Sequence, residues 1–511
     1  MTTEDPRAAD ARTTAPHAED LHAEDLRTED LRTEDFRAAA HATAELVSDY
    51  LAELPDRPVW QPMDESARRA LLDAPLPADG RPLAELVDAI GREVLPYPMG
   101  NGNPRFFGWV NSAPAPAGVL ATLAASAMNP SSAGGDHADV HLERAVVRWI
   151  AELVGFPHPA GGGLLTSGTS MATIVCLAAA RNRAARQAGR DVREDGLAGL
   201  PPLVGYVTGE THSCVRKAAE LLGLGSKHLR TVTTGPDSRL DTAELRAAVE
   251  RDRAAGLLPF LVVASAGTVG TGAVDAFDPI ADLCAEQRLW LHVDGAYGAF
   301  GRLDPAIAHR YAGLERADSL ALDPHKWLGV PVDCGCALVR DTEELRGTFS
   351  LVPSYLRDEA AGSLGWFSEY GTEQTRPFRA LKVWATIAHR GRAGLSRDIA
   401  RCTALARRLG ELVAADEELE LLAEVQTSIV AFRHRAPGRD AAARDALNRE
   451  LPVAVQRRGR VFVTGARLGS DEMLRACLLN ATTTEDDLHL LLAEVKAAAR
   501  ELLPDAGAAR P

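Results

Sequence analysis

The residues of this chain that are best suited to covalent chemistry surround Lys326. The chain has 56 lysines and arginines, and only five of them are lysines, so arginine serves almost everywhere that a plain positive charge is needed. Arginine cannot form an imine, because its guanidinium stays protonated. Lys326 lies between a His and a Trp and precedes an apolar run, which is a poor place for a solvated charge. The sequence therefore predicts a Schiff-base lysine that holds an aldehyde cofactor.

A carboxylate follows a second apolar segment, 289–293, at Asp294. A half-buried carboxylate at a strand end needs a cationic partner, and the protonated nitrogen of a pyridine ring is one. Ala296 points to the same side of an extended chain and leaves room for a flat ring. Taken alone, however, Asp294 is better explained as the N-cap of a helix.

Two further segments complete a pattern. His212 follows the apolar segment 203–207 and could stack on an aromatic ring, although a lone His there is more often a capping or surface residue. Thr169 and Ser170 begin a predicted helix, where hydroxyl groups and free N–H groups can bind an anion or simply cap the helix. Phosphate cup, ring stack, pyridine partner and imine lysine follow in this order, and the combination describes a pyridoxal 5'-phosphate (PLP) site.

The elements that must position these residues alternate between helix and strand from about 115 to 340. Helices are predicted at 118–127, 142–154, 170–188, 242–255 and 280–287, and strands at 203–207, 229–232, 259–264, 289–293, 319–322 and 336–339. Such alternation predicts an α/β fold, with a mostly parallel sheet covered by helices on both faces. Ligands of such sheets bind at the carboxyl ends of the strands.

The remaining segments suggest five regions. Residues 1–41 contain a five-residue Glu-Asp repeat and are predicted to form a disordered acidic tail. An N-terminal helical segment (42–114), a large cofactor domain (115–395), a small C-terminal α+β domain (396–503) and a short tail (504–511) follow. A long helix is predicted from 379 to about 391. In the small domain we predict an initial helix, strands near 418–433, 451–464 and 473–479, and a final helix at 485–502.

Composition excludes several classes of function. A net charge of −15 argues against nucleic-acid binding. The sequence has no apolar signal core and no 18-residue apolar span, which predicts a cytoplasmic protein without a membrane segment. Its seven cysteines are scattered, with no CxxC pair, so we expect neither a disulfide framework nor a metal site.

Together these motifs resemble the group II PLP-dependent amino-acid decarboxylases, which include aromatic-amino-acid and glutamate decarboxylases. The resemblance spans roughly 45–500, and it implies the aspartate-aminotransferase-like fold (PLP-dependent transferase fold type I) with a seven-stranded sheet. It is carried by the segments NPRFFGW (103–109), LTSGTS (165–170), THS (211–213), LHVDGAY (291–297), DPHKWL (323–328), LR (474–475) and NATT (480–483).

The resemblance implies a role for several residues, most of them in these motifs. The family's cofactor contacts fall on Thr169, Ser170, His212, Thr268, Asp294, Ala296, His325 and Lys326. Lys326 forms the imine, Asp294 pairs with the pyridine nitrogen, and His212 stacks over the ring. The reaction implied is decarboxylation of an L-amino acid to its amine, through an external aldimine and a quinonoid.

Tyr355 lies in a segment, 349–356, that resembles the start of the family's mobile catalytic loop. In the family this loop carries a Tyr that protonates the substrate carbon after CO₂ leaves, and it reaches into the partner subunit's site. The resemblance therefore implies a homodimer and a catalytic Tyr355; the alternative is a core tyrosine at a helix edge. Gly362, Gly365 and Gly371 suit a flexible lid.

The predicted substrate pocket departs from that of aromatic decarboxylases. Asn129 and Ser131 stand where bulky apolar residues are usual, whereas Trp109 keeps some aromatic surface. Asp136 and His137 either contact the substrate or cap the next helix. The substrate is therefore aromatic or polar, and the sequence does not decide between them.

Three hypotheses stay open. The first is the decarboxylase. The second is a PLP enzyme of the same fold that couples decarboxylation to oxidative deamination or performs amino transfer, and Tyr355 argues against it. The third is a non-catalytic scaffold, which the intact PLP motifs contradict.

Asp323 replaces the Asn often found before Pro-His-Lys. Arg376 and Arg379 are either substrate-carboxylate ligands or ordinary helix-surface residues.

Overall fold

The computed structural model describes residues 33–157, 162–351 and 366–503 and divides the chain into two compact units. In the smaller unit, the described residues 33–53 and 62–98 form α1 (Thr33–Glu53), α2 (Glu65–Leu72) and α3 (Leu83–Ala89), and α3 continues into a π-helical turn (Ile90–Val94). The side chain of Asp64 caps α2 by accepting a hydrogen bond from the Ala67 N–H. α1 begins inside the predicted tail, so residues 33–41 are helical, whereas 1–32 lie outside the described residues.

The larger unit is built around a seven-stranded sheet. Its strands are β1 (Gly163–Thr166), β2 (Leu203–Thr208), β3 (Leu229–Val232), β4 (Leu258–Ser265), β5 (Trp290–Asp294), β6 (Ser319–Leu322) and β7 (Gly335–Val339), in the spatial order β1-β7-β6-β5-β4-β2-β3. Neighbouring strands from β6 to β3 pair in parallel, and β7 is antiparallel to β1 and β6. The predicted sheet is confirmed, although sequence analysis missed β1.

Helices cover both faces of this sheet. They are α4 (Pro116–Met128), α5 (Ala138–Val154), α6 (Thr169–Gln187), α7 (Val192–Asp195), α8 (Ser213–Leu221), α9 (Thr242–Ala254), α10 (Phe277–Gln287), α11 (Thr342–Phe349) and α12 (Arg379–Ala414). Along β4, Val262 and Ala264 join the hydrophobic cluster of α5, α9 and α10. Leu261 and Val263 join the cluster of α6 and α8. Because successive strand residues point to opposite faces, one apolar strand supplies both layers.

The carboxyl ends of the parallel strands bring distant segments of the chain together. β5 ends at Asp294, and the loop after β6 carries Lys326. The loop after β2 leads to His212, and the loop after β4 carries Thr268. These ends lie side by side because the strands are parallel, and this edge is where such sheets bind ligands.

The C-terminal part of the larger unit contains a four-stranded antiparallel sheet. It consists of β8 (Leu419–Leu421), β9 (Ile429–His434), β10 (Thr464–Leu468) and β11 (Asp471–Cys477), in the order β10-β11-β9-β8, with α13 (Ala441–Arg457) and α14 (Glu485–Leu502). The strand predicted near 451–464 is wrong, because residues 451–457 form the last turns of α13 and β10 begins only at Thr464. Leu451 and Val455 lie on the buried face of α13. The sequence did not predict this helix, because it contains Pro452 and proline is rare in helix interiors.

α12 crosses the predicted domain boundary at residue 395, and a non-helical Gly391 (φ 61°) interrupts it. This break coincides with the predicted end of the long helix near 391. The other domain boundaries remain predictions. Within the described ranges, no helix is both long and apolar enough to cross a bilayer.

Candidate active site

A cavity of about 250 Å³ lies at the carboxyl ends of the parallel strands. Six residues of the predicted site line it: Trp109, His212, Thr268, Asp294, Ala296 and Lys326. They come from four separate loops of the large sheet and from the segment before α4. The sheet topology therefore brings residues that are far apart in the sequence together in one cavity.

Lys326 enters this cavity from the turn that follows β6. Its Nζ lies 3.1 Å from Oδ2 of Asp323, three residues earlier. The neighbouring Trp327 is buried and stacks on Tyr297, with ring centroids 4.9 Å apart. This packing fixes the backbone on one side of Lys326, while its amine faces the cavity.

Asp294 is buried at the end of β5, with Oδ1 accepting a hydrogen bond from the Ala296 N–H at 3.1 Å. Burial raises the pKa of this carboxyl, and the nearby Lys326 opposes the shift. Among the described residues, no cation lies within ion-pair distance of Asp294. A buried carboxylate without such a partner is suited to the protonated nitrogen of a bound heterocycle.

His212 forms the N-cap of α8, and its Nδ1 accepts a hydrogen bond from the Cys214 N–H at 3.2 Å. Burial lowers the pKa of this imidazole, Lys326 lowers it further, and Asp294 opposes both. The lowered pKa favours the neutral ring, and the hydrogen bond from Cys214 orients it. A neutral ring on one wall of the cavity, with the small Ala296 also lining it, suits a planar aromatic ligand.

The first turn of α6 offers an anion site. Gly168 caps this helix without a side-chain hydrogen bond, and the buried Oγ1 of Thr169 has no partner among the described residues. Ser170 is exposed, and Nδ1 of His325 lies 2.7 Å from the Cys334 carbonyl oxygen. An unsatisfied buried hydroxyl at a helix N-terminus fits a phosphate group. The whole site thus fits a phosphorylated pyridine aldehyde.

The model of the pyridoxal-dependent decarboxylase conserved domain matches residues 65–435. The chain belongs to this family. The predicted family, the PLP cofactor and the carboxy-lyase activity are thereby confirmed. The roles of Lys326, Asp294 and Thr169 toward that cofactor stay predictions.

Relatives of this decarboxylase differ in the product that their names imply. An aromatic-L-amino-acid decarboxylase of Bacillus atrophaeus is 31% identical over 469 residues, which cover 90% of this chain and 95% of that protein. A 4-hydroxyphenylacetaldehyde synthase of Rhodiola rosea is 28% identical, with 86% and 90% covered. The crystal structure of Oryza sativa TDC with PLP and tryptamine has a TM-score of 0.86 at 30% identity and covers 93% of this chain and 100% of that one.

Four residues predicted to contact the substrate do not line the cavity: Asn129, Ser131, Asp136 and His137. Asn129 ends α4 in a left-handed conformation, and His137 precedes α5 and bonds to Asp139. Asp136 is exposed and bonds to His141 at 2.6 Å. Their contact with the substrate therefore stays a prediction. Tyr355, Gly362 and Gly365 lie outside the described residues.

Arg376 and Arg379 fit neither alternative that the sequence left open. Arg376 is fully buried and forms an ion pair with Glu143 at 2.5 Å. Arg379 is buried at the start of α12 and pairs with Glu373 and Asp333. Both guanidinium groups are occupied by structural acids away from the cavity.

Sequence reasoning assigned no role to several residues that line the cavity, among them Arg475, Glu210 and Tyr297. Arg475 stands inside the apolar strand β11, and a charge in such a strand was the signal that could have revealed it. Burial raises the pKa of the Glu210 carboxyl, which lies against Gly270. The hydroxyl of Tyr297 lies 2.5 Å from Oγ of Ser428, near the start of β9. No local sequence signal marks the last two contacts, because their partners are distant in the chain.

Proposed function

We propose that this decarboxylase converts an L-amino acid into its amine and CO₂ in the cavity that contains Lys326. The observation that carries the proposal is the convergence of Lys326, Asp294 and His212 on one cavity. The same cavity holds Arg475, which has no acidic partner among the residues that the structure describes. Each of these side chains is suited to one part of the reaction in the position that it occupies in the cavity.

Arg475 is suited to bind the substrate carboxylate. It is only 6% exposed, and its Nη1 donates to the Val269 carbonyl at 2.9 Å. No acid among the described residues lies within ion-pair distance of it, its Nε has no hydrogen-bond partner there, and burial lowers its pKa. A buried guanidinium is stabilised by a carboxylate, which it can bind through two parallel hydrogen bonds. An amino-acid substrate supplies that group.

Bound PLP supplies an electron sink for the pair left behind when the bond between Cα and the carboxylate breaks. Asp294 keeps the ring nitrogen protonated, because a buried carboxylate stabilises an adjacent cation. His212 holds the ring from one side and stays neutral. The amine of Lys326 anchors the aldehyde between turnovers, and it can carry a proton to or from the substrate nitrogen.

The substrate side chain is proposed to lie near Trp109. This residue has a left-handed backbone (φ 41°) and is 44% exposed. Its ring packs at 5.1 Å from the Phe462 ring, which holds it beside the cavity. The adjacent wall contains Asn111 and Glu210. A flat surface beside polar groups favours an aromatic side chain that carries a hydrogen-bond donor.

A homodimer is part of the proposal. Leu120 and Leu123 of α4 are 70% and 63% exposed, and Met128, Val332 and Trp384 are exposed as well. Leu120, Leu123 and Met128 lie on the same helix, and exposed apolar side chains that share a helix favour a buried interface over a solvated surface. Tyr355 is proposed to act as the proton donor in such a dimer. The cytoplasmic location predicted from the sequence belongs to the same proposal.

A panel of L-amino acids tests the reaction. We expect CO₂ and the corresponding amine in equal amounts, and a visible absorption band of the bound cofactor near ~420 nm that the Lys326→Ala variant lacks. The alternative reaction releases an aldehyde. The observation that supports this alternative is the similarity to the Rhodiola rosea aldehyde synthase. The alternative reaction is detected by assaying aldehyde, ammonia and peroxide in the same mixtures. Aldehyde without amine would overturn the proposed product.

A further inference from the structure

The carboxylate of Asp323 contacts two groups that the cofactor must use. Its Oδ1 accepts a hydrogen bond from the Thr169 N–H at 2.6 Å. Its Oδ2 lies 3.1 Å from Nζ of Lys326 and 3.7 Å from Nε2 of His325. Asp323 is 3% exposed, so these contacts are made away from bulk water. One anionic side chain therefore connects the imine lysine to the first turn of α6.

We infer that Asp323 is a positioning residue that occupies the phosphate site in place of an anion, and that PLP binds by taking over its contacts with Thr169 and Lys326. The inference rests on the proposed location of the phosphate at the start of α6. It concerns how this decarboxylase acquires its cofactor and which anions it admits.

The charge of Asp323 opposes a second anion at the same place. The N-terminus of α6 attracts negative charge through its N–H groups and its dipole, and Asp323 already satisfies one of these N–H groups. A phosphate that arrives beside this buried carboxylate meets a like charge at short range, where water screens little. Asp323 thus aligns the helix start and the lysine before PLP binds, and it weakens the binding of simple anions.

The neutral isostere separates these two effects. In the Asp323→Asn variant, the amide oxygen can still accept the hydrogen bond from the Thr169 N–H, so the helix start keeps its partner. The amide nitrogen carries no charge to repel an anion or to hold Lys326. The Asp323→Ser variant removes the same charge with a smaller side chain, and it replaces the first variant if Asn does not fold. Asp282→Asn, an exposed acid on α10 that pairs with Arg316, is the matched control for loss of one negative charge.

The first experiment titrates the cofactor-free full chain with inorganic phosphate in a calorimeter. We expect Asp323→Asn to bind phosphate on the order of tenfold more tightly than wild type, which corresponds to one like charge removed near the anion. Asp282→Asn should match wild type. Equal or weaker phosphate binding by both charge-neutral variants at 323, relative to Asp282→Asn, overturns the inference.

The second experiment compares PLP with pyridoxal, which has the same aldehyde and ring but no phosphate. Affinities are read from the absorption band of the bound ligand, without any measurement of turnover. Asp323→Asn should raise the preference for PLP over pyridoxal about tenfold. An unchanged preference overturns the role of Asp323. By contrast, if the wild type forms no absorption band with either ligand, the proposed function is contradicted. The phosphate titration then still tests the role of Asp323 separately.

Discussion

Burial sets the charge state of the catalytic side chains at the scale of single residues. Asp294 lies at a strand end and His212 at a helix start, and both are common positions for structural residues. Burial raises the pKa of Asp294 and lowers that of His212. A carboxylate suited to a cationic ring nitrogen and an imidazole whose neutral form is favoured therefore face the same cavity, and this pairing supports the roles proposed for them.

Substitution of Asp294 tests its partnership with the ring nitrogen. Asp294→Asn keeps the size and the hydrogen bond from Ala296 but removes the charge. We expect kcat to fall roughly 10²–10³-fold, since an interaction that stabilises the developing charge is lost, while the absorption band of the bound cofactor persists. Asp278→Asn, at an exposed ion pair with Arg316, serves as the control. Unchanged kcat in Asp294→Asn would contradict the role.

Arg475 should govern the affinity for the substrate. Arg475→Met removes the proposed carboxylate partner, and we expect KM to rise about 100-fold; Arg475→Lys keeps a charge but not the paired hydrogen bonds and should raise KM about tenfold. Steady-state kinetics measures both. Arg467→Met on the neighbouring strand β10, where Arg467 is exposed, should change KM little. The assignment fails if Arg475→Met and Arg467→Met have the same KM.

At the scale of elements, close backbone approach positions the cofactor contacts. β7 begins beside the N-terminus of α6, where a Cβ at Gly335 would lie 2.5 Å from the backbone of Gly168. This spacing requires glycine and holds the phosphate cup against the sheet. β7, which is antiparallel to its neighbours, thus contributes to the site because Gly335 has no side chain and lets α6 approach closely.

The Gly335→Ala variant should push α6 away from β7. We expect PLP affinity to fall at least about tenfold and stability to fall by ~1–3 kcal/mol, the usual cost of overpacking. Absorbance titration and urea unfolding measure the two effects. Gly347→Ala in α11, where a Cβ would meet nothing closer than 3.7 Å, is the matched control. Wild-type affinity in Gly335→Ala would show that this contact does not position the cup.

A buried histidine in β5 should make the protein sensitive to acid. Nδ1 of His292 lies 2.8 Å from Oγ of Ser319, and burial lowers its pKa from 6.5 to about 3. Between these values the unfolded chain binds a proton that the folded chain does not, so the free energy of unfolding falls as pH drops below 6.5, by up to ~1.4 kcal/mol per pH unit. His292→Gln should flatten this dependence, as urea unfolding at pH 7 and pH 5 can measure. An identical pH dependence in both proteins would exclude His292 as the cause.

At the scale of the whole molecule, the larger unit joins two sheets around the cavity. Tyr297, in the loop after β5, bonds to Ser428 beside β9, and Thr427 donates to the Gly272 carbonyl at 2.9 Å. Arg475 enters the cavity from the small sheet. The active site therefore depends on how the C-terminal sheet packs against the loops of the parallel sheet.

Assembly is testable at the same scale. If α4 forms the proposed dimer interface, Leu123→Asp should shift the protein toward monomers, because a buried charge would replace apolar contact. Analytical ultracentrifugation of wild type and variant measures the change. Leu221→Asp on α8, where the leucine is also exposed, should leave the assembly intact. A wild type that is monomeric at micromolar concentration would refute the dimer.

The sequence by itself determined the parallel sheet and the family, and it predicted which residues of the large domain meet at one edge of that sheet. Periodic apolar segments specify strands and helices locally, and the polar residues at their ends then fall at one edge of any parallel sheet. The meeting of Lys326, Asp294 and His212 at the cavity was predictable for this reason, whereas Thr268 was implied by the resemblance to the family. The strand predicted over α13 was wrong because Pro452 is a local signal that tertiary packing overrides.

The tertiary structure alone decided which side chains complete the site. Thr169 and Asp323 are 154 residues apart in the chain, yet their atoms lie 2.6 Å from each other. Arg475 reaches the cavity from a different sheet. Such contacts depend on how elements pack rather than on the pattern within any one of them, so no periodicity or spacing reports them. The sequence specified the chemistry available to this decarboxylase, and the packing of its sheets determined which groups share the cavity.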